Sequence, residues 1–171
     1  KEYFGGAEIV FYRFHIKKCL NKAIDTVRKK EVESTDSLKR TKYIWLKNEC
    51  NLTQFQRNKL GEFLHESSLD TARAYKLKKG FDQIWNVQSL SVEPLLKSWI
   101  KQALEVDLKP ITGFINTIKK HYHGILKSMI TGITNAVSEG LNSVMQLARS
   151  RARGYRNPQN FCAMIYFLGN Q

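Results

Sequence analysis

The sequence predicts a mainly α-helical protein, with a helical bundle through the middle, one strand near the start and a polar-faced helix near the end. Three observations predict this. Apolar residues recur at spacings of three and four over most of the chain, as they do in helices that bury one face. Helix-start signals punctuate that pattern at Thr53, Ser91 and Pro110. One segment, Ala7-Glu8-Ile9-Val10-Phe11-Tyr12-Arg13-Phe14, has the short, β-branched and aromatic makeup of a buried strand.

A lone strand cannot make a sheet, so its partners are expected upstream of Lys1 or on another molecule. Lys1 in place of Met points to a piece of something longer. The two ends of the chain are therefore expected to pack poorly, with the strand's edges exposed.

From His15 to Arg28, Ile16, Leu20, Ala23, Ile24 and Val27 fall on one helical face. Lys17, Lys18, Lys22, Lys29 and Lys30 lie on the other side or at the end. Residues 31–42 are charged and weakly apolar and read as a mobile connection. Thr53-x-x-Gln56 is a capping-box pattern opening a helix through about His65. The next helix spans Leu69 to Trp85, with an interruption at Gly80. Ser91 can cap a helix carrying Leu95, Leu96, Trp99, Ile100, Ala103 and Leu104 on one face. Pro110 stands where a first-turn proline is tolerated. The helix after it carries Ile111, Phe114, Ile115, Ile118, Tyr122, Ile125 and Met129. Residues 43–130 thus read as a bundle, with Trp45, Trp85 and Trp99 as core anchors.

The composition is that of a globular chain: 171 residues, 42% hydrophobic and 25% charged. No stretch approaches the roughly 20 apolar residues of a membrane-spanning helix. Cys19, Cys50 and Cys162 form no CxxC pair, so they indicate neither a disulfide framework nor a zinc site. They read as reduced thiols filling the core. The charge is more informative. Residues 1–47 carry 12 basic and 6 acidic side chains, residues 48–108 carry 8 of each, and residues 109–171 carry 8 basic and 1 acidic. A positive surface built from both ends would attract a polyanion, with nucleic acid the first candidate.

The most informative segment is Thr134 to Asn157. On a helix, Glu139, Asn142, Ser143, Gln146, Arg149, Ser150 and Arg153 share one face, and Val137, Leu141, Val144, Met145, Ala148 and Ala152 the opposite one. Asn135 is placed to cap it. A carboxylate can hold a divalent cation and the arginines can hold phosphate oxygens, which suits work on a phosphodiester. On residue types alone, an ordinary amphipathic helix with one solvated Glu is the commoner arrangement. His121-Tyr122-His123 is an HxH, but residues two apart on a helix point away from each other and share a metal poorly. His15, at the end of the strand, reads as structural. No phosphate-cradling Gly-rich loop, GxSxG or Cys–His arrangement is present.

Thr134-Asn135-Ala136-Val137-Ser138-Glu139-Gly140-Leu141-Asn142-Ser143, continuing to Arg153-Gly154-Tyr155-Arg156-Asn157, resembles the closing motif of DDE transposases of the ISL-type insertion-sequence family. That motif reads TN-x-x-x-EG-x-N followed by a basic stretch and GYRN. The strand segment ending in Arg13-Phe14-His15 is similar to the family strand that ends in Asp-Arg-Phe-His. Tyr43-Ile44-Trp45-Leu46-Lys47-Asn48 and Thr71-Ala72-Arg73-Ala74-Tyr75 resemble its helical insertion.

The resemblance implies an incomplete ribonuclease-H-like catalytic domain, split between residues 1–30 and 131–171 around a helical insertion at 31–130. It implies a role in DNA transposition through two divalent metals, usually Mg²⁺, with Glu139 as the last metal-binding catalytic carboxylate. Asn142, Arg149, Arg153 and Arg156 would lie on the DNA backbone. The implied partners are transposon-end DNA and a possible homo-oligomer, in the cytoplasm and on the nucleoid of a bacterium. The departures are specific. Tyr12 stands where the family has its second catalytic Asp, and the first Asp is expected upstream of Lys1. Val144 stands where a Lys is usual, and Ser150 near a second basic position. One Glu does not make a two-metal site, and a phenol titrating near 10 is a poor substitute for a carboxylate. The chain alone is therefore expected to neither cut nor join DNA. A non-enzymatic helical module, binding nucleic acid or an intact transposase, is the alternative.

Overall fold

The computed structural model describes residues 11–66, 68–87, 91–132, 136–152 and 155–169. The chain divides into two compact units, Lys1–Gly132 and Ile133–Gln171. In the first unit the described helices are α1 (Arg13–Glu31), α2 (Lys42–Leu46), α3 (Gln54–His65), α4 (Asp70–Trp85), α5 (Val92–Glu105), α6 (Lys109–Lys120) and α7 (Tyr122–Thr131). The second holds α8 (Ala136–Arg151) and α9 (Pro158–Gly169). The expected mainly helical class is observed, and no strand occurs among the described residues.

Ala7–Val10 of the expected strand lie outside the described residues. Its last two residues, Arg13 and Phe14, open α1 instead. Strand propensity is a preference for a pleated, half-buried surface. Here the apolar face of α1, Ile16, Leu20, Ala23, Ile24 and Val27, is buried and draws the preceding turn into the helix. Tyr12 remains extended as the residue before it.

α4 packs against α1 and α5, α6 packs against the same two helices, and α1 also packs against α2. Phe81 on α4 meets Trp99 of α5 at 4.9 Å between ring centroids and Phe114 of α6 at 5.6 Å. Nearer its start, Tyr75 meets Trp45 of α2 edge-on at 5.8 Å, and Trp45 in turn meets Phe63 of α3 at 5.3 Å. All three tryptophans are buried, as expected. The buried indole N–H groups find acceptors: Trp45 donates to Thr41 Oγ1 at 3.0 Å and Trp99 to the Leu77 carbonyl at 2.9 Å.

Several polar side chains fix helix ends. The Glu31 carboxylate, at the end of α1, accepts from the backbone N–H groups of Asp70 and Thr71, both at 2.8 Å, and so caps α4. The expected capping box of α3 is complete: Thr53 Oγ1 accepts from the Gln56 N–H, and Gln56 Oε1 accepts from the Thr53 N–H, both at 3.2 Å. Lys78 of α4 is buried, and its Nζ donates to the carbonyls of Trp45, Leu46 and Lys47 at 2.9, 3.0 and 3.2 Å. Those are the orphan acceptors at the end of the five-residue α2.

Other expectations are corrected. α4 runs through Gly80 without a break. A Cβ there would stand 3.3 Å from Trp99 Cδ1, so the glycine serves close helix packing rather than interruption. The connection at 31–42 is pinned, because the 3₁₀ turn Asp36–Leu38 buries Leu38 completely. Ser91 precedes α5 in an α-helical conformation, and its side chain makes no capping bond. Leu95 and Leu104 are exposed at the flanks of the buried face of Leu96, Trp99, Ile100 and Ala103. The single helix expected after Pro110 is two, broken at His121, which lets Ile125 and Met129 reach the core from a new direction. The three cysteines are exposed, not core filler: Cys19 on α1, Cys50 in the 3₁₀ turn Glu49–Asn51 and Cys162 on α9.

Replacing Thr53 with Ala should lower stability by about 1 kcal/mol, seen as an earlier urea midpoint with unchanged slope. Lys78 gives a pH signature. Burial lowers its ammonium from the usual lysine range to about 8, against the opposing pull of Asp82. The unfolded chain holds that proton to about 10.4. Between about pH 8 and 10 the unfolded state therefore binds more protons, and stability rises with pH. Lys78→Met should remove that rise and cost about 2–3 kcal/mol at pH 7 through the unpaired carbonyls. Urea titrations of both proteins across pH 7–10 test this, and a pH-independent difference between them would rule it out.

Candidate functional site

α8 lies within the span expected for the polar-faced helix. Glu139 stands in its first turn, where the partial positive charge of a helix start favours a carboxylate. Glu139, Asn142, Ser143, Gln146, Arg149 and Ser150 are all exposed, so the expected polar face is a single solvent face. Two of its hydroxyls bond the helix backbone: Ser143 to the Glu139 carbonyl at 2.9 Å and Ser150 to the Leu147 carbonyl at 3.0 Å. That leaves Glu139, Asn142, Gln146 and Arg149 as the chemically distinctive groups of the face. Arg151 is exposed at the helix end and Arg156 in the turn after it.

The opposite face is narrower than expected. Ala148 is fully buried and Val144 and Ala152 are half-buried, but Met145 is 40% exposed. The side chains of Val137 and Leu141 lie outside the description, as do Asn135, expected to cap α8, and Arg153, expected on DNA. α9 packs on α8. The Tyr155 hydroxyl donates to the Ala148 carbonyl at 2.8 Å, and its ring meets Phe161 at 5.0 Å. Sequence reasoning missed α9, although its start is legible. Asn157 Oδ1 accepts from the Gln159 N–H at 2.9 Å, with Pro158 in the first helical position.

The other positions singled out from sequence lie in the larger unit. Tyr12 is half-buried before α1, and His15 is exposed on α1 with its ring 5.5 Å from that of Phe14. His121 stands between α6 and α7, and His123 lies in the first turn of α7.

Mg²⁺ requires several hard oxygen ligands held together. Among the described residues, no three His, Cys, Asp or Glu side chains gather into such a set. Glu139 is the one acidic residue from Leu108 to Gln171. These residues alone do not fit a two-metal centre.

The comparisons with known proteins agree with the motif. The profile of the ISL3-type DDE transposases, described as "Transposase", matches residues 1–165. The chain belongs to this family. It is 26% identical over 175 residues to the transposase for insertion sequence element IS1001 of Bordetella parapertussis, covering 96% of this chain and 43% of that protein. It is also 26% identical over 132 residues to the transposase for insertion sequence element IS1557 of Mycobacterium tuberculosis, covering 77% of this chain and 30% of that protein. The chain thus spans less than half the length of these relatives. No solved structure matches significantly. No described helix of this ISL3-type chain is long and apolar enough to cross a membrane.

Tyr155→Phe should loosen the α8–α9 pair by about 1 kcal/mol through loss of one buried hydrogen bond. Faster amide exchange confined to residues 136–169, with the larger unit unchanged, is the expected readout.

Proposed function

We propose that this chain is the C-terminal part of a DDE transposase that acts in DNA transposition, with Glu139 as the last catalytic carboxylate. One observation carries the reading. The family match spans residues 1–165, and within it the single carboxylate of the closing motif heads an exposed face that continues into arginines. Asn142, Arg149, Arg153 and Arg156 would hold the DNA backbone, as guanidinium and amide donors do for phosphate oxygens. In the longer protein, residues 1–30 and 131–171 would belong to one ribonuclease-H-like domain, split by the helical insertion at 31–130. There Glu139 would be one ligand among several carboxylates for Mg²⁺. Transposon-end DNA would be the substrate, and a homo-oligomer would bring two ends together.

Tyr12 sets the limit of this chain's own chemistry. It occupies the place of the second catalytic Asp, and a neutral phenol cannot supply the charge a hard cation requires. The present chain should therefore leave DNA strands uncut.

The test is to append the upstream segment of a related transposase and introduce Tyr12→Asp. Strand transfer with Mg²⁺ and a transposon-end duplex should appear, and a further Glu139→Gln should abolish it. Activity that survives Glu139→Gln would remove Glu139 from the catalytic role. No activity in any version, with folding intact, would favour the non-enzymatic binding module.

A further inference from the structure

We propose that the elbow between α6 and α7 is a second contact for the DNA phosphodiester backbone, within the helical unit and separate from the α8 face. The inference rests on the reading of the chain as a DNA-acting protein. At the elbow α6 ends in Lys119 and Lys120, His121 turns the chain, and α7 begins at Tyr122. These residues line an open cleft of about 620 Å³ together with Phe11, His123 and Lys127.

Five lysines elsewhere in the unit meet carboxylates: Lys17 with Asp82, Lys29 with Asp25, Lys39 with Asp36, Lys79 with Glu49 and Lys97 with Glu93. Lys119 and Lys120 are exposed, and no acidic residue occurs between Leu108 and Gly132. Glu93 reaches the elbow, where its Oε1 accepts from the Tyr122 hydroxyl at 3.5 Å. It is already paired with Lys97 at 2.8 Å. The partial charges of the two helix ends, roughly −0.5 from α6 and +0.5 from α7, cancel to first order. The lysines' full charges therefore set the local field. The first-turn N–H groups of α7 have no acceptor within their helix and add donors suited to an anion. The Phe11 ring, 4.5 Å from that of His121, closes one wall. A cleft walled by Lys119 and Lys120 suits a polyanion's phosphates, without reading base sequence.

The test is fluorescence anisotropy of the full chain with a labelled 30-base-pair duplex over a salt series. It compares the parent chain with Lys119→Ala/Lys120→Ala, with Lys119→Arg/Lys120→Arg, and with Arg149→Ala/Arg156→Ala. The lysine-to-alanine pair should weaken binding roughly tenfold or more at low salt and flatten the salt slope by about 1.8, alike for unrelated sequences. The arginine replacements should restore both. Circular dichroism confirms that each variant keeps its helices. Unchanged affinity and slope in the lysine-to-alanine pair, with the parent chain binding DNA, overturns the elbow and leaves the proposed function standing. Loss in the lysine pair with none in the Arg149/Arg156 pair supports the elbow and counts against the α8 face. A parent chain that binds no duplex at low salt overturns both.

Discussion

The larger unit depends on the hydrogen bonds of one buried lysine, Lys78. The Lys78 ammonium stands at the end of α2 and donates to three successive carbonyls. A five-residue helix has no cooperative stability of its own, since nucleation costs more than one turn returns. α2 exists because Lys78 satisfies its end and because Ile44 and Trp45 are buried. The placement of Trp45 then decides what α3 packs on, through Phe63, and what faces Tyr75. Lys78 also lies 5.6 Å above the Tyr75 ring, so the cation and the aromatic wall hold each other. At the other end of the same bundle, Glu31 fixes the start of α4 through two backbone bonds. The two contacts make α4 the reference against which the neighbouring helices are set.

The smaller unit follows a different logic. Of its described residues only Ala148 is buried, while Met145, Leu147, Met164, Tyr166 and Phe167 are exposed. A pair of helices with so little buried apolar surface has a weak hydrophobic term. What orders it is local: the Tyr155 hydrogen bond to α8, the Asn157 cap, and a proline that presets the first turn of α9. This matches the expectation of poor packing at the C-terminal end, whereas at the other end Phe11 packs against the core of the larger unit. The weak C-terminal packing also fits a segment that is a fraction of a larger domain, as the partial coverage of its relatives allows.

Much of the architecture was legible because helices write their buried faces into the sequence. The α1 face, the Thr53 capping box, the Pro110 start and the tryptophan anchors are all present as read. The misses share a cause: local signals resolved by tertiary contacts. Gly80 reads as a breaker, yet it is a point of close approach to Trp99. Ile111 to Met129 keeps an apolar rhythm across His121, so periodicity alone cannot show the turn between α6 and α7. Phe14 is aromatic and strand-prone, but the helix that follows captures it. Lys78 carried no signal, because a lysine that caps another helix across 31 to 33 residues looks like any other lysine. For the candidate site, the described residues expected on the polar face of α8 are exposed, from Glu139 to Ser150. Family membership came from the motif that sits on it.

Charge alone does not locate a nucleic-acid surface in a chain with a net charge of +13. What distinguishes one basic patch from another is whether carboxylates already neutralise it. In α1 and α4, Lys17, Lys29 and Lys79 carry intramolecular partners, so a polyanion would have to displace them. Along α6 and α7, and again after Glu139, the sequence supplies no acidic residue to serve as a partner. Binding there would release counterions from the DNA, and that release is the main driving force of backbone association. In the proposed reading, Tyr12 would remove a charge that a cation needs and leave untouched the lysines and arginines that would meet phosphate.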